Sequence, residues 1–162
     1  MILGKGEIAR RVKEERLIEN YDESCLGGAG YDIRIAKFYN ASGGTYLGKT
    51  ERKLPEIKDI PEGILLMKPG EYVLIETIEK VNMPADLAAR VLNRSSVFRC
   101  GASTYNAFID PGYRGALTFG LKNISDHEFS VEKGARIAQI VFEEVLGKTE
   151  LYNGKYQGGK VV

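Results

Sequence analysis

The chain has 162 residues, with 23 Lys+Arg against 22 Asp+Glu and a formal charge of +1. That balance excludes a protein that holds nucleic acid by bulk charge. With 43% hydrophobic and 28% charged residues, the chain is also neither disordered nor membrane-embedded. A chain this long buries roughly 70% of its unfolded surface and needs no staple to fold. Cys25 and Cys100 make no disulfide framework. His127 is the only histidine, so a zinc site, which takes about four His, Cys or carboxylate ligands, is not expected. The opening residues carry no apolar signal core, and no apolar run could span a bilayer. The expected location is cytoplasmic, without membrane or nucleic-acid partners.

In chain order, residues 6–19 are expected to be helical, within an N-terminal segment of residues 1–20. Ile8 and Val12 share a face there, and charges cover the rest. The pattern then changes to short strands broken by glycine and proline. Residues 31–35, 72–77, 87–92, 116–122, 129–131 and 136–142 alternate or run apolar. Lys68-Pro-Gly-Glu and Glu132-Lys-Gly-Ala are turns between them. Residues 40–60 are polar and turn-rich, an excursion between strands. The expected fold is one all-β domain over residues 1–162, a sandwich or barrel with a short N-terminal helix. Residues 150–162 set Tyr152, Lys155, Tyr156 and Gln157 among glycines, which suits a flexible tail that orders on a ligand or a neighbour.

Four segments could carry chemistry. Gly27-Gly-Ala-Gly-Tyr-Asp32 is glycine-rich but lacks the GxGxxG spacing and the βαβ context of a dinucleotide site. Asn93-Arg-Ser-Ser96 offers helix-capping residues and an arginine, either a plain cap or a phosphate cradle. Asp110-Pro-Gly-Tyr-Arg114 is a tight turn that sets a carboxylate beside an aromatic ring and a guanidinium. Arg136 and Gln139, three apart in a strand, are expected on opposite faces.

Taken in order, Gly-Ala-Gly-Tyr-Asp32, Arg94-Ser-Ser96, Ile109-Asp-Pro-Gly-Tyr-Arg-Gly115, Arg136-Ile-Ala-Gln139 and Lys155-Tyr-Gln-Gly-Gly159 resemble the dUTPase/dCTP deaminase superfamily. Met1-Ile-Leu and Pro84-Ala-Asp-Leu-Ala-Ala-Arg look like its deaminase branch. The resemblance covers nearly the whole chain. It implies a homotrimer of distorted jelly-roll subunits with active sites shared between subunits. The implied substrate is a pyrimidine deoxynucleoside triphosphate with Mg²⁺, held mainly by phosphate oxygens and water.

By the same resemblance, Asp110 is the general base and Tyr113 lies against the deoxyribose. Arg94, Ser95, Ser96 and Gln139 bind the phosphates, and Arg99 matches a basic position of the deaminase branch. Backbone around Asn106 and around Thr118, Phe119 and Gly120 reads the base. Tyr152, Lys155, Tyr156 and Gln157 belong to a C-terminal lid. Asp32 is an outer carboxylate near the metal or the interface, not a direct ligand. Deaminases of this superfamily place a catalytic glutamate ten residues after the motif aspartate. Here that position is Gly120, which cannot shuttle a proton. The expected activity is therefore hydrolysis of dUTP to dUMP and pyrophosphate. The alternatives are a dCTP deaminase or bifunctional enzyme, and a non-catalytic nucleotide-binding relative.

Overall fold

The structure, a computed structural model, describes all 162 residues. The helix α1 spans Lys5–Glu15, shorter than the expected 6–19. Arg16 turns left-handed at φ 55° and donates its N–H to the Arg11 carbonyl, which ends the helix. Leu17 and Ile18 are then buried in extended chain, and β1 (Ile18–Glu19) pairs with Val81 and Lys80. Ile8 is the fully buried anchor of α1. Arg11 is buried too, because its guanidinium grips Asp86 at 2.7 and 3.2 Å.

The rest is the expected all-β fold. After a 3₁₀ turn at Glu23–Cys25 come β2 (Tyr31–Ser42), β3 (Tyr46–Leu47), β4 (Arg52–Lys53), β5 (Glu56–Ile60), β6 (Ile64–Met67), β7 (Tyr72–Asn82) and β8 (Leu87–Asn93). A short helix α2 (Ser95–Arg99) precedes β9 (Ala102–Tyr105), β10 (Arg114–Asn123), β11 (Phe129–Glu132) and β12 (Arg136–Glu144). One barrel-like sheet runs β8-β12-β2-β7-β10-β9, with β1 and β5 added at its sides. The paired strands are antiparallel. Alternation fills the interior, for example Tyr31, Ile33 and Ile35 from β2 and Val73 and Ile75 from β7. These join a cluster of 28 buried apolar residues.

The strands that sequence pattern misses are edge or polar ones. β5 has no buried residue and pairs with the far half of β2 inside the expected excursion. β9 reads Ala-Ser-Thr-Tyr, too polar to stand out, and is held by β10. β7 departs from regular pairing between Ala116 and Thr118 of β10, where Thr77–Glu79 stand opposite Leu117. Glu79 lies on the inward face of β7 that Val73, Ile75, Thr77 and Val81 share, 1% exposed. It accepts from Arg34 Nε at 2.7 Å, Arg34 N at 2.8 Å and Tyr31 Oη at 3.2 Å. A buried carboxylate needs such partners, and losing one typically costs about 3–5 kcal/mol. Arg34 also reaches Asp22 and the Asn20 carbonyl, so this network ties the N-terminal segment to two central strands. No helix is long and apolar enough to cross a membrane.

Candidate active site

The turn after Ile109 is fixed from both sides. Ile109 exchanges two hydrogen bonds of 2.9 Å with Ala89 of β8. Gly112 donates to the Met83 carbonyl at 3.0 Å, and Met83 donates to the Tyr113 carbonyl at 2.8 Å. Gly112 sits at φ 83°, which favours glycine. Pinned in this way, Asp110 stands exposed on the rim of a cavity. Tyr113 is half-buried in its wall and donates from Oη to the Ala116 carbonyl at 2.6 Å. Burial, reinforced by Tyr152 and Glu76, pushes the Tyr113 hydroxyl up to about 12, so it stays a neutral donor.

The cavity measures about 590 Å³, within the range of small-molecule sites. Of the sequence-expected residues, Asn106, Asp110, Tyr113 and Thr118 line it, as do Phe119, Gly120, Tyr152 and Tyr156. Sequence reasoning missed Tyr72, Leu74 and Tyr105. No local signal marks them, because they arrive from β7 and the end of β9. Seven of the chain's fifteen Tyr and Phe residues line this one cavity, which suits a planar, partly apolar ligand. Asn106 holds the loop in place, donating to the Val91 carbonyl and Thr104 Oγ1. Thr118 Oγ1 is the only buried side-chain polar atom without a hydrogen-bond partner. Such an atom is costly unless a ligand or water satisfies it.

A second cluster gathers the other expected residues. Asp32 receives Arg94 Nε at 3.1 Å and faces Arg136 Nη1 at 3.9 Å. Arg94 also donates to the Arg136 carbonyl at 3.1 Å, and Arg136 to Ser24 Oγ at 2.9 Å. The expectation that Arg136 and Gln139 lie on opposite faces is wrong. β12 bulges at Ile137, so Arg136 pairs with Arg34 and Gln139 with Asp32. Arg34 and Asp32 are two apart in β2, which puts Arg136 and Gln139 on the same face. Gly30 lets the loop lie against them: a Cβ there would stand 2.8 Å from the Ile140 carbonyl and 3.0 Å from Gln139 Cγ.

The N-cap of α2 is Arg94, with no side-chain capping bond. Asn93 instead accepts from Thr104 N at 2.8 Å. Arg99 packs its guanidinium over the Phe98 ring at 5.3 Å. Arg94, Ser95, Ser96, Arg99 and Gln139 do not line the first cavity, so one chain presents the expected site in two parts.

The C-terminal residues lie across the Asp110 turn. Tyr152 donates its N–H to the Pro111 carbonyl at 2.7 Å, and its ring meets Tyr113 edge-on at 5.5 Å. The Gln157 side chain accepts from Arg114 N at 2.8 Å and donates to the Gly112 carbonyl at 2.9 Å. Lys155 turns away, its ammonium over the Tyr156 ring, while Lys160 and Val161 reach the cavity instead.

No group of three His, Cys, Asp or Glu side chains could cage a metal. Asp110 is the one carboxylate in the cavity lining, and Asp32 is engaged by guanidinium groups. Mg²⁺ keeps several waters and takes phosphate oxygens readily, so this donor set fits an ion that arrives on a triphosphate.

Comparisons with known proteins agree with this architecture. Residues 2–145 match the family model described as dCTP deaminase-like. The chain is 36% identical over 149 residues to a dCTP deaminase of Pyrococcus horikoshii, covering 91% of this chain and 88% of that one. It is 32% identical over 143 residues to a probable deoxyuridine 5'-triphosphate nucleotidohydrolase of Methanothermobacter thermautotrophicus, covering 88% and 94%. Among solved structures, the 2'-deoxycytidine 5'-triphosphate deaminase of Agrobacterium tumefaciens shares the fold with a TM-score of 0.70 at 19% identity. That match covers 87% of this chain, which spans about half (47%) of the deaminase chain. The dUTPase of Staphylococcus bacteriophage 80alpha shares the fold at a TM-score of 0.52 and 21% identity, covering 86% and 89%. The chain therefore belongs to the dCTP deaminase-like family, and is an enzyme of the dUTPase/dCTP deaminase superfamily.

Proposed function

We propose that the enzyme hydrolyses dUTP to dUMP and pyrophosphate. The observation that carries this reading is the floor of the cavity at Gly120. Deamination needs a group that activates water and protonates the departing ammonia. Position 120 offers none, and the Tyr72 ring occupies the space a side chain there would need. Asp110, by contrast, is an exposed carboxylate on the cavity rim.

In this reading, Asp110 accepts a proton from the water that attacks the α-phosphorus. The new P–O bond forms as the bond to the bridging oxygen breaks, and pyrophosphate leaves. Tyr113 packs against the deoxyribose, and Thr118 Oγ1 supplies a hydrogen bond to the base. Arg94, Ser95, Ser96 and Gln139 hold the phosphates. Since these sit apart from the Asp110 cavity within one chain, a homotrimer would join the two parts across subunits. Asp32 then orients the Arg94 guanidinium and does not touch the metal. Bound Mg²⁺ would neutralise phosphate charge. The residues 151–161 that cover the turn act as a lid that excludes water.

A second reading, a dCTP deaminase or a dUMP-forming bifunctional enzyme, is favoured by the relatives that bear those names. It would need an acid from elsewhere than position 120. Retention of Asp110 and Tyr113 argues against a non-catalytic relative. The separating experiment offers dUTP, dCTP, UTP and dTTP with and without Mg²⁺, and measures pyrophosphate and ammonia. The expected result is pyrophosphate from dUTP alone and no ammonia from dCTP. Ammonia from dCTP would overturn the proposal.

A further inference from the structure

Thr118, Gly120 and Lys122 share one face of β10, opposite Glu76, Leu74 and Tyr72 of β7. The Tyr72 ring leans along this face until it covers Gly120. A Cβ on Gly120 would lie 2.5 Å from both Cε2 and Oη of Tyr72, and 2.8 Å from Cζ. Real Cβ atoms do not approach so closely, so any side chain at 120 must displace the ring. Tyr105 boxes the ring from the other side, edge-on at 6.4 Å. Tyr72 is nevertheless 45% exposed, and it lines the cavity. Two residues along the same face, Thr118 Oγ1 lies buried and unpartnered.

We propose that Tyr72 and Gly120 form a reciprocal pair that sets which pyrimidine base the cavity admits, with the Tyr72 ring as the wall beside the Thr118 hydroxyl. Gly120 leaves room for the ring, and the ring closes the space next to Thr118, whose buried hydroxyl has no partner in the protein. A base held by Thr118 meets an aromatic wall on its flank. An extra methyl against such a wall is rejected about 10- to 200-fold. Uracil and thymine differ by that one methyl, so Tyr72 discriminates dUTP from dTTP. The substrate half of this inference rests on the hydrolase reading above, but the steric half does not.

The steric half is tested by a thermal double-mutant cycle on the full chain without nucleotide. Gly120→Ala is expected to lower Tm by about 2–6 °C in the natural background, because the half-exposed ring gives way at part of the cost of overpacking. In a Tyr72→Ala background the same change should cost less than about 2 °C. Equal costs in both backgrounds would overturn the pair. The substrate half is read from kcat/KM for dUTP and dTTP. Tyr72→Ala should shrink the dUTP preference at least about tenfold. Tyr72→Leu, which keeps apolar contact without the ring, gives the same reading if the alanine variant is unstable. An unchanged dUTP/dTTP ratio would overturn the specificity role. A natural protein that hydrolyses no dUTP would instead sink the hydrolase reading, and the thermal cycle would still decide the steric one.

Discussion

The Asp110 cavity and the Asp32 cluster are built on different principles. The first is held by backbone. Ile109, Gly112 and Met83 fix the turn through main-chain bonds, and aromatic rings close the walls. Asp110 stands exposed there, and Thr118 Oγ1 is buried without a partner. The second is held by charge. Arg94 and Arg136 converge on Asp32, so the guanidinium groups there are already engaged, while Gln139 and the serines of α2 make no side-chain hydrogen bond. A region that is preorganised and unpaired costs little to use at the moment of reaction. In the cluster the Arg94 guanidinium must trade its ion pair with Asp32 for a ligand, which suits reversible binding of a charged chain. Under the proposed hydrolase reading, the difference would give chemistry and base reading to the cavity, and phosphate capture to the cluster.

The sharpest break comes from Asp110→Asn. If the cavity holds the chemistry, turnover of dUTP should fall about 10²- to 10⁴-fold while nucleotide affinity stays within a few-fold. Undiminished hydrolysis would remove Asp110 as the base. Arg94→Ala should act in the opposite sense. Losing a charge-assisted contact of about 1.5–3 kcal/mol raises KM roughly 10- to 100-fold and changes kcat less. A kcat collapse with unchanged KM would place Arg94 in the chemistry and dissolve the contrast between the two regions.

These regions were unequally legible in the sequence. The Asp110 turn was readable because its causes are local: Pro111 and Gly112 dictate the turn, and the flanking residues alternate as strands do. The shared face of Arg136 and Gln139 was not, because one extra residue at Ile137 reverses the rule of alternation. Nothing in Arg-Ile-Ala-Gln announces a bulge; the pairing with β2 imposes it. Tyr72 over Gly120 was invisible for a similar reason, since 48 residues separate them in sequence and only the β7–β10 register brings them together. Alternation puts Glu79 on the buried face of β7 between Thr77 and Val81, and what the sequence does not show is its partner Arg34, 45 residues away, which makes that burial tolerable. The end of α1 was misjudged because the run into Leu17 and Ile18 suits a helix as well as a strand, and tertiary pairing with Val81 decided it.

The smallest expected effect separates local roles from general loss of stability. Asp86 docks α1 through Arg11, away from both regions, and the Arg11 guanidinium holds its carboxyl below the ordinary value of 3.8. A carboxylate with a depressed pKa in the folded state stabilises the fold above its unfolded value. That contribution is lost as pH falls below about 4. Asp86 is 55% exposed, so solvent screens the pair and the effect is modest. Asp86→Asn should lower Tm at pH 7 by about 1–4 °C. The gap to the natural protein should close as the pH falls through about 4, because the natural carboxyl then loses its charge as well. Its KM and kcat for dUTP at pH 7 should match those of the natural protein. If a loss of a few degrees at this remote site raised KM as much as Arg94→Ala does, the phosphate-binding role of the Asp32 cluster would reduce to stability, and the contrast between the two regions would fail.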